Sequence, residues 1–247
     1  MKVWAGIVEV MTRPQPVTIP IVALFSIIPG YLVIGNLSRG RDLHIPELPL
    51  DGMMPVQEGW SLVYLSLFCA ALLPVFVLHR QDLIRRTVLA FIFAWIVAFA
   101  CFLVYPTFGP RPKAFDGDGF LAWTLKEIYS ADDPYNCFPS LHVAQCFLAA
   151  FAAYCVNRGV GWAAGVWATL VAISTVYTKQ HYVADVIGGT ILATAGYLIF
   201  MRGHPREAIP ERERQLAPAL AACGFAAYGL AVFILWLAYE LGGGKVY

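Results

Sequence analysis

Charged side chains are scarce in this sequence of 247 residues. Asp, Glu, Lys and Arg make up only 13% of the chain, whereas a soluble domain usually carries about 25%. Apolar residues make up 59%, and they stand in long blocks separated by short polar segments. The shortage of charge excludes an ordinary soluble domain, and the long apolar blocks predict an integral membrane protein.

The sequence also gives no support for nucleic-acid binding, a cysteine-based site or a secretion signal. With 17 basic and 16 acidic residues, and no basic stripe interleaved with aromatics, the chain is not expected to bind nucleic acid. The six cysteines show no metal-ligand spacing, so we predict no metal site, no disulfide framework and no cofactor. The first residues carry no signal-peptide pattern, and residues 1–16 are interpreted as a segment at the membrane interface.

Seven apolar blocks are long enough to be membrane spans, since a helix needs about 20 residues to cross a bilayer. The predicted fold is an all-α integral membrane protein with a six-helix transmembrane core in residues 17–202. A charged connector and a seventh, C-terminal transmembrane helix follow in residues 203–247. A tight basic turn is expected at 79–86, and a short surface helix at 120–129. The seven spans are predicted at about 17–37, 60–78, 87–105, 138–156, 160–177, 183–201 and 216–241.

The basic residues indicate an orientation. Ten of them lie on the side that holds the N-terminus and the 79–86 turn, and the other seven lie on the opposite side with most of the acids. By the positive-inside rule, the side with ten basic residues is cytoplasmic. The opposite loops are therefore expected to face the periplasm or the exterior.

Two histidines on that outer side carry the functional argument. His142 and His181 are separated by two apolar spans joined by a short polar turn, so the chain returns to the same membrane face at His181. Asp185 follows His181 by one helical turn, which places both side chains on one face of a helix. The sequence therefore predicts two imidazoles and a carboxylate at one depth near one membrane surface.

Neighbouring residues supply positive charge and further hydrogen-bond donors. Arg111 follows the third span, Ser140 lies just before His142, and Lys179 lies just before His181. Two cations and two imidazoles suit an anion with several oxygens, and a phosphoryl group fits this set best. Arg111, Lys179 and Ser140 are therefore predicted to bind phosphate oxygens, together with free N–H groups at the start of the fourth helix.

The two histidines are assigned different roles. His181 is the predicted nucleophile, because the carboxylate of Asp185 can fix its tautomer and stabilise its developing positive charge. His142 is predicted to protonate the leaving group and later to take a proton from the acceptor.

Simpler interpretations apply to other residues. His44, His79 and His204 are interpreted as interfacial residues, and the arginines near span ends as residues that reach the headgroup level. The pair Gly188-Gly189 is interpreted as a place of close helix packing. A His–Asp pair is by itself as often structural as functional, but a shared depth favours a site, and it is expected for Arg111, His142, Lys179, His181 and Asp185.

Three stretches resemble the signatures of the type 2 phosphatidic acid phosphatase superfamily, which also includes vanadium haloperoxidases. They are Arg111-Pro112, Pro139-Ser140-Leu141-His142, and His181 with Asp185. The resemblance covers roughly residues 51–195. It implies a histidine nucleophile, a phosphohistidine intermediate and no obligatory metal.

The chain departs from the family pattern at two cations. The lysine expected seven residues before Arg111 is Val104, and the Ser-Arg pair that usually opens the third signature is Ser174-Thr175. Lys179 and Lys113 are the candidate replacements for phosphate binding. Leu141 in place of glycine makes the chain more similar to the inositol phosphorylceramide synthase and sphingomyelin synthase branch, as does the tyrosine after the second histidine.

These features predict a membrane-embedded lipid phosphatase or phosphotransferase that cleaves a lipid phosphoester or pyrophosphate. Hydrolysis by water is favoured over transfer of a phospho-headgroup to a lipid or polyol alcohol, as in inositol phosphorylceramide synthase. A non-enzymatic, anion-binding membrane transporter is the alternative from another class, and it predicts binding without turnover. A haloperoxidase ranks third, because members of that type are mostly soluble. The sequence leaves the lipid, the acceptor and the oligomeric state open.

Overall fold

The computed structural model describes Trp4 and residues 19–112, 114–205 and 208–243. The regular structure of these residues is helical, without β-strands, so the predicted all-α fold is confirmed. The predicted interfacial segment 1–16 lies outside the described residues, apart from the exposed Trp4. The helices are α1 (Ile19–Ser38), α2 (Trp60–Leu65), α3 (Leu67–Val77), α4 (Gln81–Val104), α5 (Gly119–Ala131), α6 (Leu141–Val156), α7 (Arg158–Tyr177), α8 (Val183–Gly196) and α9 (Glu211–Leu241).

The described residues contain five helical segments that are long and apolar enough to cross a membrane. Two shorter apolar helices, Leu24–Ser38 within α1 and α6, coincide with the first and fourth predicted spans. The chain is therefore a multi-pass membrane protein. The five segments are Trp60–Val77, Gln81–Val104, Arg158–Tyr177, Val183–Met201 and Glu211–Leu241.

Several predicted boundaries differ from the observed helices. The prediction of a turn at 79–86 is wrong. Helix α4 begins at Gln81, so most charged residues of this segment lie in its first turns. Asp82 suits the positive end of the helix dipole, and its carboxylate accepts a hydrogen bond from Arg86 Nε at 2.7 Å on the same helix. The second span consists of two helices, with Ser66 at the junction of α2 and α3.

The short surface helix predicted at 120–129 is present as α5. It buries one apolar face, including Ala122, Leu125 and Ile128, and packs on α2 and α9. The end of α5 matters for the site, since the backbone there contacts Arg111.

Helix α6 forms the centre of the bundle and packs against α3, α4, α7 and α8. It begins at Leu141, three positions later than the predicted span, because Ser140 serves as its N-cap. Close approach to α8 depends on Gly189, where an added Cβ would lie 2.4 Å from the carbonyl oxygen of Ser140. This contact agrees with the predicted packing role of the glycine pair.

The predicted C-terminal helix at 216–241 is present as α9, which begins at Glu211 and thus includes part of the predicted charged connector. Its 31 residues extend for about 46 Å. It packs on α3, where Cys69 Sγ donates to the carbonyl of Gly224 at 3.2 Å. The last turns expose large apolar side chains such as Leu230 and Phe233, as expected for a helix that faces lipid.

Candidate active site

Two imidazoles meet at the N-terminal ends of α6 and α8. His142 lies in the first turn of α6, and His181 lies two residues before α8. The distance from His142 Nδ1 to His181 Nε2 is 2.9 Å. The two rings meet at a steep angle of 62°, and the Tyr64 ring packs edge-on against His142 with centroids 5.6 Å apart. The structure thus brings together the two histidines that the span count placed on one membrane face.

Asp185 determines which nitrogen of His181 carries the proton. Its Oδ2 lies 3.2 Å from His181 Nδ1, and both side chains are buried. A carboxylate only accepts hydrogen bonds, so Nδ1 is the protonated nitrogen and Nε2 carries the lone pair. That lone pair points at His142, whose Nδ1–H is therefore the donor in the contact between the two rings.

The same aspartate ties the two helix ends together. Its Oδ2 also accepts from Tyr182 N at 2.9 Å, which closes a capping box at the start of α8. Its backbone carbonyl accepts from Ser140 N at 3.0 Å. Ser140 in turn caps α6, with its Oγ accepting from Val143 N at 3.3 Å. The predicted phosphate ligand Ser140 therefore uses its oxygen in a cap, and its hydroxyl proton remains able to donate.

Asp51 anchors the start of α8 from a distant part of the chain. Its Oδ1 accepts from Val183 N, and its Oδ2 accepts from Leu48 N, each at 2.8 Å. Only 4% of Asp51 is exposed. Asp51 lies in the polar loop before the second span and resembles the family segment before that helix, but nothing in the sequence indicated that it binds the start of α8.

Arg111 lies beside the histidines but is largely engaged by the protein. Its Nη1 donates to the carbonyls of Tyr129, at 3.0 Å, and of Asp132. Its Nη2 donates to Gln180 Oε1 at 2.5 Å. The guanidinium also stands 5.3 Å from the centre of the Tyr129 ring.

The two lysines predicted to replace missing family cations have different outcomes. Lys179 adopts a left-handed backbone conformation with φ +53°, and its Nζ donates to the carbonyl of Asp51 at 3.2 Å. The observed contact of its ammonium group is thus with the Asp51 loop. Lys113 lies outside the described residues.

Gln180 and Asp132 are neighbours of the site that the sequence reasoning missed. Gln180 is 4% exposed and contacts Arg111. Asp132 Oδ2 stands 3.9 Å from Arg111 Nη2. Burial raises the pKa of the Asp132 carboxyl above its ordinary value, although the charge of Arg111 opposes the shift. Burial likewise raises the pKa of the Tyr129 phenol to about 12.

One group of side chains has the composition of a metal site. Ligand atoms of Cys137, His181 and Asp185 all lie within 4.8 Å of one another. Burial raises the pKa of the Cys137 thiol well above its ordinary value, whereas metals bind the thiolate. In addition, His181 Nδ1 and Asp185 Oδ2 already contact each other. The chemistry of these groups therefore fits a hydrogen-bonded histidine better than a metal centre.

This arrangement is a histidine-based site at one end of a membrane helix bundle, and comparison with known proteins gives its family. The model of the PAP2 superfamily matches residues 54–199, which include the histidine pair, Asp185 and Arg111. The chain belongs to the PAP2 superfamily, and the predicted resemblance is confirmed at that level.

Two curated relatives share part of the chain. A PA-phosphatase related-family protein of Dictyostelium discoideum is 28% identical over 110 residues, which are 38% of this chain and 20% of that protein. The undecaprenyl-diphosphatase BcrC of Bacillus subtilis is 30% identical over 108 residues, 42% of this chain and 50% of that protein. The chain thus spans half or less of the length of these relatives. Neither belongs by name to the inositol phosphorylceramide synthase branch. No solved structure matches the chain.

Proposed function

We propose that this chain is a lipid phosphatase that hydrolyses a lipid phosphoester or a lipid pyrophosphate through a phosphohistidine on His181. The proposal depends on one observation, the line of contacts from His142 Nδ1 to His181 Nε2 and from His181 Nδ1 to Asp185. Membership of the PAP2 superfamily and the similarity to an undecaprenyl-diphosphatase support a phosphatase.

In the first step, the lone pair of His181 Nε2 attacks phosphorus, and the bond from phosphorus to the leaving oxygen breaks. When the anionic phosphate is bound, its negative charge favours the protonated form of His142, which donates the Nδ1 proton to the leaving oxygen and becomes neutral. The leaving oxygen lies opposite the attacking nitrogen, so His142 must give up its 2.9 Å contact with His181 Nε2 to reach it. The positive charge that develops on His181 is stabilised by Asp185.

In the second step, neutral His142 takes a proton from water, and the water oxygen attacks phosphorus. The bond from phosphorus to His181 Nε2 breaks, which releases inorganic phosphate and restores both histidines. An alcohol of a lipid or polyol in the place of water would complete the same step as a headgroup transfer.

The phosphoryl oxygens are proposed to bind Arg111, the Ser140 hydroxyl and the free N–H groups at the start of α6. Lys113 and Lys179 remain candidates for this role, and Lys179 would have to leave the Asp51 carbonyl to take it. The distribution of basic residues supports a site that faces the periplasm or the exterior. The lipid tail would then lie between helices in the outer leaflet.

A turnover assay on purified protein in detergent tests the proposal. Phosphatidic acid and a polyprenyl diphosphate are offered with water alone and then with an added alcohol, and released phosphate and new phospholipids are measured. We expect phosphate release, and in quenched samples an acid-labile phosphoryl group on His181. Loss of both signals in His181→Ala supports the proposal, whereas unchanged turnover in that variant overturns it.

The same assay separates the alternatives. A new phospholipid at the expense of free phosphate would favour headgroup transfer. Binding of both substrates with no turnover in the wild-type protein would favour an anion-binding transporter.

A further inference from the structure

The backbone of Gln180 is held in the turn that leads from α7 to the nucleophile. Its N–H donates to the carbonyl of Thr175 at 2.9 Å, and His181 N donates to the same carbonyl at 3.1 Å. The preceding residue, Lys179, takes the left-handed conformation that ends α7. The same carbonyl therefore holds the backbones of Gln180 and His181, so the position of the Gln180 side chain is linked to that of the proposed nucleophile.

Arg111 fixes the orientation of the Gln180 carboxamide. A guanidinium only donates hydrogen bonds, so the atom that Arg111 Nη2 contacts at 2.5 Å must be the carbonyl oxygen. This assignment removes the usual ambiguity between oxygen and nitrogen in a glutamine side chain. The NH₂ group is consequently not engaged by the guanidinium.

Two buried donors in this pair are unsatisfied. Gln180 Nε2 and Arg111 Nε have no hydrogen-bond partner among the residues that the structure describes. Buried polar groups in proteins nearly always have a partner, and each exception requires an explanation. Both unsatisfied atoms are donors, and they belong to side chains that contact each other. A ligand that satisfied them together would need at least two acceptor oxygens.

We propose that the Gln180 carboxamide is a phosphate-binding group, which donates Nε2–H to an oxygen of a tetrahedral oxyanion while Arg111 Nε donates to another. The inference deepens the proposed function, on which it depends for the identity of the anion. Gln180 supplies a neutral donor next to the guanidinium of Arg111. The proposed site thus combines a positive charge with an amide whose orientation is fixed.

A merely structural role for Gln180 makes a different prediction, and a double substitution separates the roles. Gln180→Met removes both the oxygen that Arg111 contacts and the Nε2 donor. If Gln180 only positioned Arg111, Gln180→Met would weaken anion binding in the wild type but cause no further loss in Arg111→Ala, where no guanidinium remains to be positioned. If Gln180 donates to the anion, Gln180→Met weakens binding again in the Arg111→Ala background. Gln180→Glu is expected to weaken binding in either case, because its carboxylate repels the anion.

The probes are orthovanadate and inorganic phosphate, and their affinities are measured by calorimetry on purified protein without any lipid substrate. We expect each Gln180 variant to bind both anions about 10- to 100-fold more weakly, the loss for one hydrogen bond to a charged group. Gln215→Glu and Gln215→Met are the matched controls, because Gln215 is exposed on α9 and contacts Glu211. They should leave both affinities unchanged.

The result is independent of turnover, which separates this inference from the proposed function. Wild-type protein that binds the anions through Gln180 but hydrolyses no lipid phosphate would overturn the proposed function alone. Affinities of Gln180→Met within about threefold of the wild type would overturn the inference alone, and so would the absence of a further loss from Gln180→Met in Arg111→Ala. A wild-type protein that binds neither anion also overturns the inference.

Discussion

Two His–Asp pairs stand at opposite ends of the helical segment Val183–Met201, and the distance between nitrogen and carboxylate oxygen is the same in both. His181 Nδ1 lies 3.2 Å from Asp185 Oδ2 before the first turn, and His204 Nδ1 lies 3.2 Å from Asp82 Oδ2 after the last. The helical segment between them, Val183–Met201, has 19 residues and is about 28 Å long. A distance alone therefore does not distinguish a candidate site from a surface contact.

The surroundings of the two carboxylates differ. The Asp82 side chain is 47% exposed and is shared with Arg86 and Arg85 at 2.7 and 3.5 Å, which is an ordinary screened surface cluster. The Asp185 side chain is fully buried, and its contacts are with His181 and the Tyr182 N–H. The other nitrogen of His181 then meets a second imidazole. Burial of the carboxylate and a second titratable ring, rather than the pair itself, define the candidate site.

The largest expected contrast is between the two histidines. His181→Gln should lower the rate of lipid phosphate hydrolysis by about 10⁴-fold or more, because the proposed mechanism assigns the attacking lone pair to His181. His204→Gln should leave the rate within about twofold, because its partner carboxylate on Asp82 is exposed and it lies at the other end of the segment from the two imidazoles. Rates are compared in the phosphate-release assay at equal protein amounts. Equal losses of rate in the two variants would contradict a functional difference between the two His–Asp pairs.

The aspartates should show the next largest contrast. Asp185→Asn should lower turnover by about 10²- to 10⁴-fold, since an amide can impose the wrong tautomer on His181 and stabilises its charge poorly. Asp82→Asn is the matched change at the other end and should cost less than tenfold, the range of a surface ion pair. Turnover close to the wild-type rate in Asp185→Asn would contradict the proposal that Asp185 orients His181.

Gly189→Ala tests whether the outer end depends on close packing of α6 and α8. The added Cβ would lie 2.4 Å from the Ser140 carbonyl oxygen, so the two helix ends must separate, at a cost of about 1–3 kcal/mol. We expect a lower melting temperature and a lower turnover rate. Gly203→Ala is the control, because a Cβ there meets nothing within 4 Å. A melting temperature equal to the wild type in Gly189→Ala would contradict this contact.

The smallest effect is expected at Cys137, which lies beside His181 but is not assigned a role. Its thiol is buried and its pKa is raised, so Cys137→Ser should change turnover by less than about fivefold. Chelators should leave turnover unchanged in both proteins. Loss of activity with a chelator, and its recovery with added zinc, would instead support the Cys137, His181 and Asp185 group as a metal site.

Much of the candidate site could be predicted from the sequence. The lengths of the apolar blocks place His142 and His181 on one face, and the helical repeat places Asp185 beside His181. Helix ends were harder, because α4 begins at Gln81 through local contacts of Asp82 that hydropathy does not detect. The contacts of Lys179 and Gln180 could not be predicted, since they depend on Asp51 and Arg111, which are distant in the sequence.

The sequence by itself determined the membrane class, the all-α fold and the shared depth of two imidazoles and a carboxylate. These features follow from hydrophobicity and helical period, which act over one or two turns or one bilayer thickness. The tertiary structure alone decided that the two rings touch, that Lys179 binds the Asp51 carbonyl, and that Arg111 orients the Gln180 carboxamide. Such contacts join distant segments, and their partners are selected by the packing of the whole bundle.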